Sequence, residues 1–423
     1  MKRLLILGSL DEFTALVQMA RARGYYTIVC DGYPQGPAKQ AADQSYDVDV
    51  RDISAIVRIC QSEQVDHIIT SFSDLLLECM VQISHGAGLP CYLLPEQLPY
   101  YRDKYVMKQT LRRLGIGTPR FACLEKDFPD EALADFQFPV VTKPLDKYGS
   151  RGLFVIHSLG ELREVFDEVC ASSEEKRILV EEYHTGYEFN MMTWVHRGEV
   201  HVISIADREK TPIPTRDIPV SSRNVYPSCL LPQVLPEASQ ILKTYIKTTG
   251  QREGALSMQF FWRPGEPIQV CEIAARFFGY EHELVEISGG LSIEKLLLDS
   301  VYDLPALENT LAAHSPALPQ VSATLYFHGR EKVIACQDKA RSRMALPGVL
   351  QEGTRLFYQE GESVIWHGPN PYVARFYITG SNRRQVDELT DEIFREISIT
   401  DADGQEILYR NKRTDYESAF SSR

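Results

Sequence analysis

Between Phe138 and Gly152 the chain reads Phe-Pro-Val-Val-Thr-Lys-Pro-Leu-Asp-Lys-Tyr-Gly-Ser-Arg-Gly, with two apolar runs on either side of a basic, glycine-bearing connection. Val140 to Thr142 read as a short buried strand and Leu153 to Ile156 as another, so the middle is predicted to be a hairpin connection. Lys143, Lys147, Gly149, Ser150, Arg151 and Gly152 fall inside it. Glycines let backbone N–H groups converge on one point and the cations add charge there, as a polyphosphate requires. An ordinary solvated hairpin would carry the same residues, and the loop alone does not decide between the two. It is not a P-loop, because no Gly-Lys-Ser/Thr follows and a strand comes next.

A second constellation lies further on. Ala255 to Phe261 and Ile268 to Ile273 form a predicted hairpin about Pro264-Gly265. Glu272, Ala274 and Arg276 fall on one face at period two, and Gln259 lies on the partner strand. A carboxylate with an arginine nearby is either a structural ion pair or, beside a glycine–lysine hairpin, a metal–phosphate site with oxygen ligands for Mg²⁺ and a guanidinium fork for phosphate.

Elements that would position these groups are legible around them. Residues 1–102 alternate strand and helix: strands Leu4–Leu7, Tyr26–Cys30 and His67–Thr70, with helices Asp11–Arg23 and Asp74–His85. Such a parallel α/β unit places ligands at the carboxyl ends of its strands, at Gly8, Ser9, Asp31, Ser71 and Asp74. Gly8 with Asp31 lacks the other glycines of a dinucleotide fingerprint. Asp103 is a predicted N-cap for a helix with Met107, Leu111 and Leu114 on its stripe, closed by Gly115. Lys104 then sits in a first turn whose dipole disfavours cations, so it either meets an anion or is solvated. Ser158 and Glu161 form a capping box. Ile178 to Val180 enter as a strand, and Glu181 to Gly186 read as an extended crossover suited to a flat heterocycle. Asp207 to Pro227 reads as a Pro/Arg-rich loop long enough to be a substrate or lid segment. Helix Pro236–Gly250 follows, and the C-terminal part offers short strands and a helix from about Arg384 to Ile397.

The bulk numbers exclude several classes. A chain of 423 residues holds two to four domains. A net charge of −13 argues against a general nucleic-acid or anionic-membrane surface. Nine cysteines without CxxC or zinc spacing fit a reducing compartment. No run spans a bilayer, and the apolar start is cut by Asp11 and Glu12, so a first strand is expected rather than a signal peptide. A cytoplasmic protein is expected, with no nucleic-acid or membrane partner.

Four motifs in this order resemble the ATP-grasp superfamily, in the branch of carbamoyl-phosphate synthetase, biotin carboxylase, the purine-pathway carboxylase and, most of all, the L-amino-acid ligases. They are Asp-Lys104 opening a helix that ends in Leu-Gly-Ile-Gly-Thr-Pro; Lys143-Pro with Gly149–Gly152; Val-Glu181-Glu-Tyr-His-Thr-Gly-Tyr-Glu188; and Gln259 with Glu272-Ile-Ala-Ala-Arg276. The resemblance implies an N-terminal parallel α/β domain over 1–102, an ATP-grasp fold of two α+β subdomains over 103–304 (nucleotide-binding lid about 118–183), and a small C-terminal α+β domain over 305–423. It implies that Lys104 and Lys143 hold the α/β-phosphates and that Gly149, Ser150, Arg151 and Gly152 close on the β/γ-phosphates. The Glu181-Glu182-Tyr183-His184 segment would meet adenine, and Glu188 the ribose. Gln259 and Glu272 match Mg²⁺ ligands (Mn²⁺ able to substitute), and Arg276 with Lys143 would act on the transferring phosphoryl. Ala274 stands where relatives usually carry Asn. The implied activity is ADP-forming ligation of a small-molecule carboxylate, expected to be an amino acid, to an amine, with room for a homodimer. The alternatives are a bicarbonate-activating carboxylase and a non-catalytic ATP sensor.

Overall fold

Leu4 to Leu7 are all fully buried, as a strand covered on both faces by helices must be. In the computed structural model, which describes residues 1–145, 152–171, 176–215, 217–279, 281–366, 370 and 372–420, this run is the middle of the first sheet. Strands β1 (Arg3–Leu7), β2 (Tyr26–Asp31), β3 (Gln44–Asp47) and β4 (His67–Ile69) are parallel in the order β3-β2-β1-β4. The polar Gln-Ser-Tyr-Asp of β3 has no apolar alternation to betray it, and it lies at the edge of the sheet. A further helix, Ile53–Ser62, buries Ile56 and Cys60. Beyond β4, Ser73 caps the helix Asp74–Ala87 through its hydroxyl, which puts Asp74 at the carboxyl end of the sheet.

The second sheet is antiparallel, ordered β5-β8-β6-β7 from β5 (Phe121–Glu125), β6 (Val140–Pro144), β7 (Val155–Ile156) and β8 (Arg177–Glu182). The predicted hairpin is present, with Val140 opposite Ile156. The helix Leu159–Ala171 covers one face with Leu162, Val165, Phe166 and Val169.

The third sheet has eight strands: β9 (Tyr187–His196), β10 (Glu199–Thr211), β11 (Val220–Tyr226), β12 (Gly254–Trp262), β13 (Gln269–Ala274), β14 (Val321–Phe327), β15 (Val349–Leu356) and β16 (Ala374–Gly380). Its order is β13-β12-β9-β10-β11-β14-β16-β15, antiparallel throughout. It continues past residue 304, because β14 pairs directly with β11.

This sheet overturns the expected loop Asp207–Pro227. β10 runs to Thr211 and β11 starts at Val220, so only residues 212–219 connect them. The described cations that suggested a loop are neutralised within the fold: Arg208 and Lys210 pair with Glu188, and Arg223, with no exposed side-chain area, pairs with Glu209 at 3.5 Å and with Asp387 on the helix Arg383–Glu396, while Arg216 lies outside the described residues. Among the described residues no helix is long and apolar enough to cross a membrane.

Candidate active site

The second and third sheets face each other across a cleft of about 670 Å³. Every described residue among the expected site groups except Gly152 lines it: Lys104, Lys143, Glu181, Glu182, Tyr183, His184, Glu188, Gln259, Glu272 and Arg276. Gly149, Ser150 and Arg151 lie outside the described residues. Gly152, where the chain re-enters the hairpin, has φ +71°, a conformation that glycine adopts without strain.

Glu181 on β8 organises the inner wall. Its Oε2 lies 2.9 Å from Lys143 Nζ on the neighbouring β6 and 3.3 Å from Lys108 Nζ, while its Oε1 is buried without a partner. Lys108, 1% exposed, also donates to Thr118 Oγ1 (2.8 Å) and to the Val270 carbonyl (3.1 Å). Burial alone would raise the Glu181 carboxyl, but Lys108 and Lys143 outweigh it and hold it below the usual carboxylate range. Burial pushes Lys108 downward against the pull of Glu181. For Lys143 the balance is reversed, with Cys271 and Glu181 overriding burial to keep it charged. Lys108 is absent from the sequence expectations. Its signal was available: it sits four residues after Lys104, on the same face of the helix Lys104–Arg113, beside the apolar stripe.

Asp103 caps that helix by accepting from Tyr105 N and Val106 N, which aims Lys104 into the cleft. Burial lowers the Lys104 ammonium and Glu272 is its leading opposing charge, so the anion that its first-turn position calls for is present.

One face of the third sheet supplies the other wall. Gln259 and Glu272 are direct partners across β12 and β13. The register then slips, Phe260 pairing with Val270, so Cys271 is the extra residue of a bulge and shares the cleft with Glu272. Glu188 takes Arg208 (2.7 Å), Lys210 (2.6 Å) and the Gln259 amide, so protein cations hold the carboxylate expected to meet ribose. Arg276 forks onto Asp74 through two bonds of 3.0 and 2.7 Å, tying the first sheet to the cleft. Burial would raise Asp74, but Arg276 outweighs it and lowers the carboxyl.

The outer wall is flat and apolar. His184 stacks on Phe261 with centroids 5.0 Å apart. Burial lowers the His184 imidazole, which favours the neutral ring. A Cβ at Gly186 would come within 2.7 Å of both the His184 ring and the Trp262 carbonyl, so the turn closes only with glycine there.

For a divalent cation the facing strands β12 and β13 offer the side-chain oxygen of Gln259 and the Glu272 carboxylate, while Asp74, Glu181 and Glu188 are held by protein cations; the described residues hold no cluster of three acidic, His or Cys ligands. That hard, sparse oxygen set fits Mg²⁺, which keeps waters and takes substrate phosphates as its remaining ligands. Ala274, buried opposite Ser257, adds no ligand atom.

Residues 136–282, which supply most of the cleft's lining, match the ATP-grasp domain family. The chain carries an ATP-grasp domain. Over the whole molecule the ATP-grasp fold is shared with the L-amino acid ligase of Bacillus licheniformis, at TM-score 0.77 and 16% identity over 95% of this chain and 99% of that one. It is shared too with the N5-carboxyaminoimidazole ribonucleotide synthetase of Thermotoga maritima, at TM-score 0.70 and 17% identity over 95% of this chain and 100% of the other. In sequence the chain is 26% identical over 203 residues to the formate-dependent phosphoribosylglycinamide formyltransferase of Erythrobacter litoralis, covering 47% of this chain and 52% of that protein. The chain thus spans about half the length of the first curated relatives it matches.

Proposed function

We propose that this protein is an ADP-forming ligase in which ATP phosphorylates a carboxylate and an amine displaces phosphate from the acyl phosphate. The observation that carries this reading is the convergence on one cleft of Lys104, Lys143 and Arg276 with the Gln259–Glu272 oxygen pair. Three cations around an oxygen-ligand pair are suited to a γ-phosphoryl group, whose transfer depends on positioning and charge neutralisation. The stacked His184–Phe261 wall and the unpartnered Glu181 Oε1 suit adenine, the oxygen accepting from its exocyclic amine. Mg²⁺ or Mn²⁺, held by Gln259 and Glu272, would supply charge neutralisation between phosphates.

For the acid we favour an amino acid, because the likeness to an L-amino acid ligase extends over nearly the whole chain. Formate is the second reading, supported by the sequence similarity to formate-dependent formyltransferases. Hydroxylamine trapping decides between them. ADP release with an amino acid and formation of its hydroxamate support ligation, and formyl hydroxamate with formate alone supports the second reading. Turnover that requires bicarbonate and gives no organic hydroxamate indicates a carboxylase. ATP binding without turnover indicates a sensor, and stoichiometric AMP refutes the mechanism.

A further inference from the structure

Cys271 is the extra residue of the β12–β13 bulge, and the bulge brings its side chain into the cleft beside Glu272. Its Sγ lies 3.7 Å from Lys143 Nζ, the same ammonium that bonds Glu181 Oε2 at 2.9 Å. The opposite wall of the same cleft carries Glu181, whose Oε1 is buried and unpartnered, an acceptor open to a ligand. The thiol therefore sits inside a binding surface.

The other cysteines are placed differently. Cys30, Cys60 and Cys79 are packed into the first domain's core, where burial pushes their thiols up to about 12, 11 and 11. Burial also raises Cys91, Cys170 and Cys229. Cys123 packs beside Phe121 and Leu179 and does not line the cleft. Cys336 is exposed, away from the cleft.

We propose that Cys271 is a modification site for soft electrophiles, hydroperoxides among them, and that its modification and nucleotide binding exclude one another. The exclusion rests on the nucleotide reading above. In the oxidation the sulfur attacks one peroxide oxygen, an S–O bond forms and the O–O bond breaks. The thiol proton leaves with the departing hydroxide as water, sulfur is oxidised by two electrons, and hydrogen peroxide is consumed one for one. The added oxygen is a stronger acceptor than the thiol for Lys143, so it takes that ammonium from the phosphates and occupies cleft volume.

The test uses the full chain. Iodoacetamide under native conditions, read by peptide mass spectrometry, should label Cys271 and Cys336 ahead of Cys30, Cys60 and Cys79. ATP with Mg²⁺ at ten times its Kd should slow labelling of Cys271 by about tenfold and leave Cys336 unchanged. Hydrogen peroxide should raise the Kd for ATP by about tenfold or more, reversibly with dithiothreitol, since a lost charge-assisted contact is of that size. In Cys271→Ser, whatever its own affinity, peroxide should leave the Kd unchanged. An unlabelled Cys271, labelling that bound ATP does not slow, or equal peroxide sensitivity in Cys271→Ser overturns the proposal. Failure of the untreated protein to bind ATP refutes the nucleotide reading and the exclusion with it, while the labelling contrast still decides whether Cys271 is a modification site.

Discussion

Lys108→Met removes one corner of the buried Lys108–Glu181–Lys143 triad and keeps most of the side-chain volume. The lost bonds are one to a carboxylate at 3.3 Å and two to neutral oxygens at 2.8 and 3.1 Å. All three are donated by an ammonium and so are charge-assisted, about 1.5–3 kcal/mol each, offset by the desolvation cost of the buried ammonium that methionine removes. Lys143 remains 2.9 Å from Glu181, so the carboxylate is not left bare, and the methionine keeps the apolar contacts of the lysine stem. We expect a loss of about 3 kcal/mol in urea unfolding at pH 7, below the top of the range for a broken buried ion pair. Glu181→Gln measured alone and with Lys108→Met should show a coupling energy of about 1–3 kcal/mol. The pH dependence has a definite sign. Glu181 is depressed from its ordinary 4.5, so its contribution is complete above pH 4.5 and is lost as pH falls through the folded-state value. The difference between parent and Lys108→Met should therefore narrow on acidification below 4.5. A destabilisation under about 0.5 kcal/mol, the size of an ordinary surface change, or a difference that widens in acid refutes the assignment of the triad.

Lys143→Ala should raise the KM for ATP and lower kcat in a steady-state ADP-release assay, and unchanged ATP kinetics would remove Lys143 from the site. Arg276→Ala should lower kcat by about 10²-fold, the cost of losing one charge-stabilising donor, with Asp74→Asn reporting how much of that is loss of the fork. Ala274→Asn supplies the missing ligand atom and should shift the Mg²⁺ titration to lower concentration; an unshifted titration refutes the argument. Arg223→Met should cost about 1.5–3 kcal/mol in urea unfolding, because Glu209 and Asp387 lose one cation but both keep Arg383, and Asp387 also keeps Arg413, and it should not act selectively on the KM for the acid.

What could be read in the sequence was whatever local rules control. The cap at Asp103, the hairpin across residues 140–156 and the opposition of Gln259 to Glu272 follow from turn and period-two patterns. Two kinds of feature escaped. β10 and β11 carry charges at positions that pattern reading assigns to solvent, and partners more than a hundred residues away, Asp387 for Arg223 and Arg383 for Asp207, join the local ones in making these buried charges tolerable. For Lys108 the helix face beside Lys104 could be read, but its burial could not, since its acceptors Glu181 and Val270 come from two different sheets. The bulge at Cys271 is a register effect and has no signature in one strand alone.

The continuous third sheet has a consequence for any attempt to shorten the protein. A chain ending at residue 304 would keep every described lining residue of the cleft except Thr414 and Tyr416, yet it would strip β14 from β11 and leave Arg223 to Tyr226 as an open strand edge. An unpaired edge of that kind templates association with other chains. Arg223 would also lose Asp387, its partner on the removed helix, and keep only the longer contact to Glu209 at 3.5 Å, which leaves a weakly paired cation on that edge. A truncated protein of this design would fail as an insoluble product before its chemistry was ever assayed, so a minimal catalytic fragment must retain β14 to β16 together with the helix Arg383–Glu396.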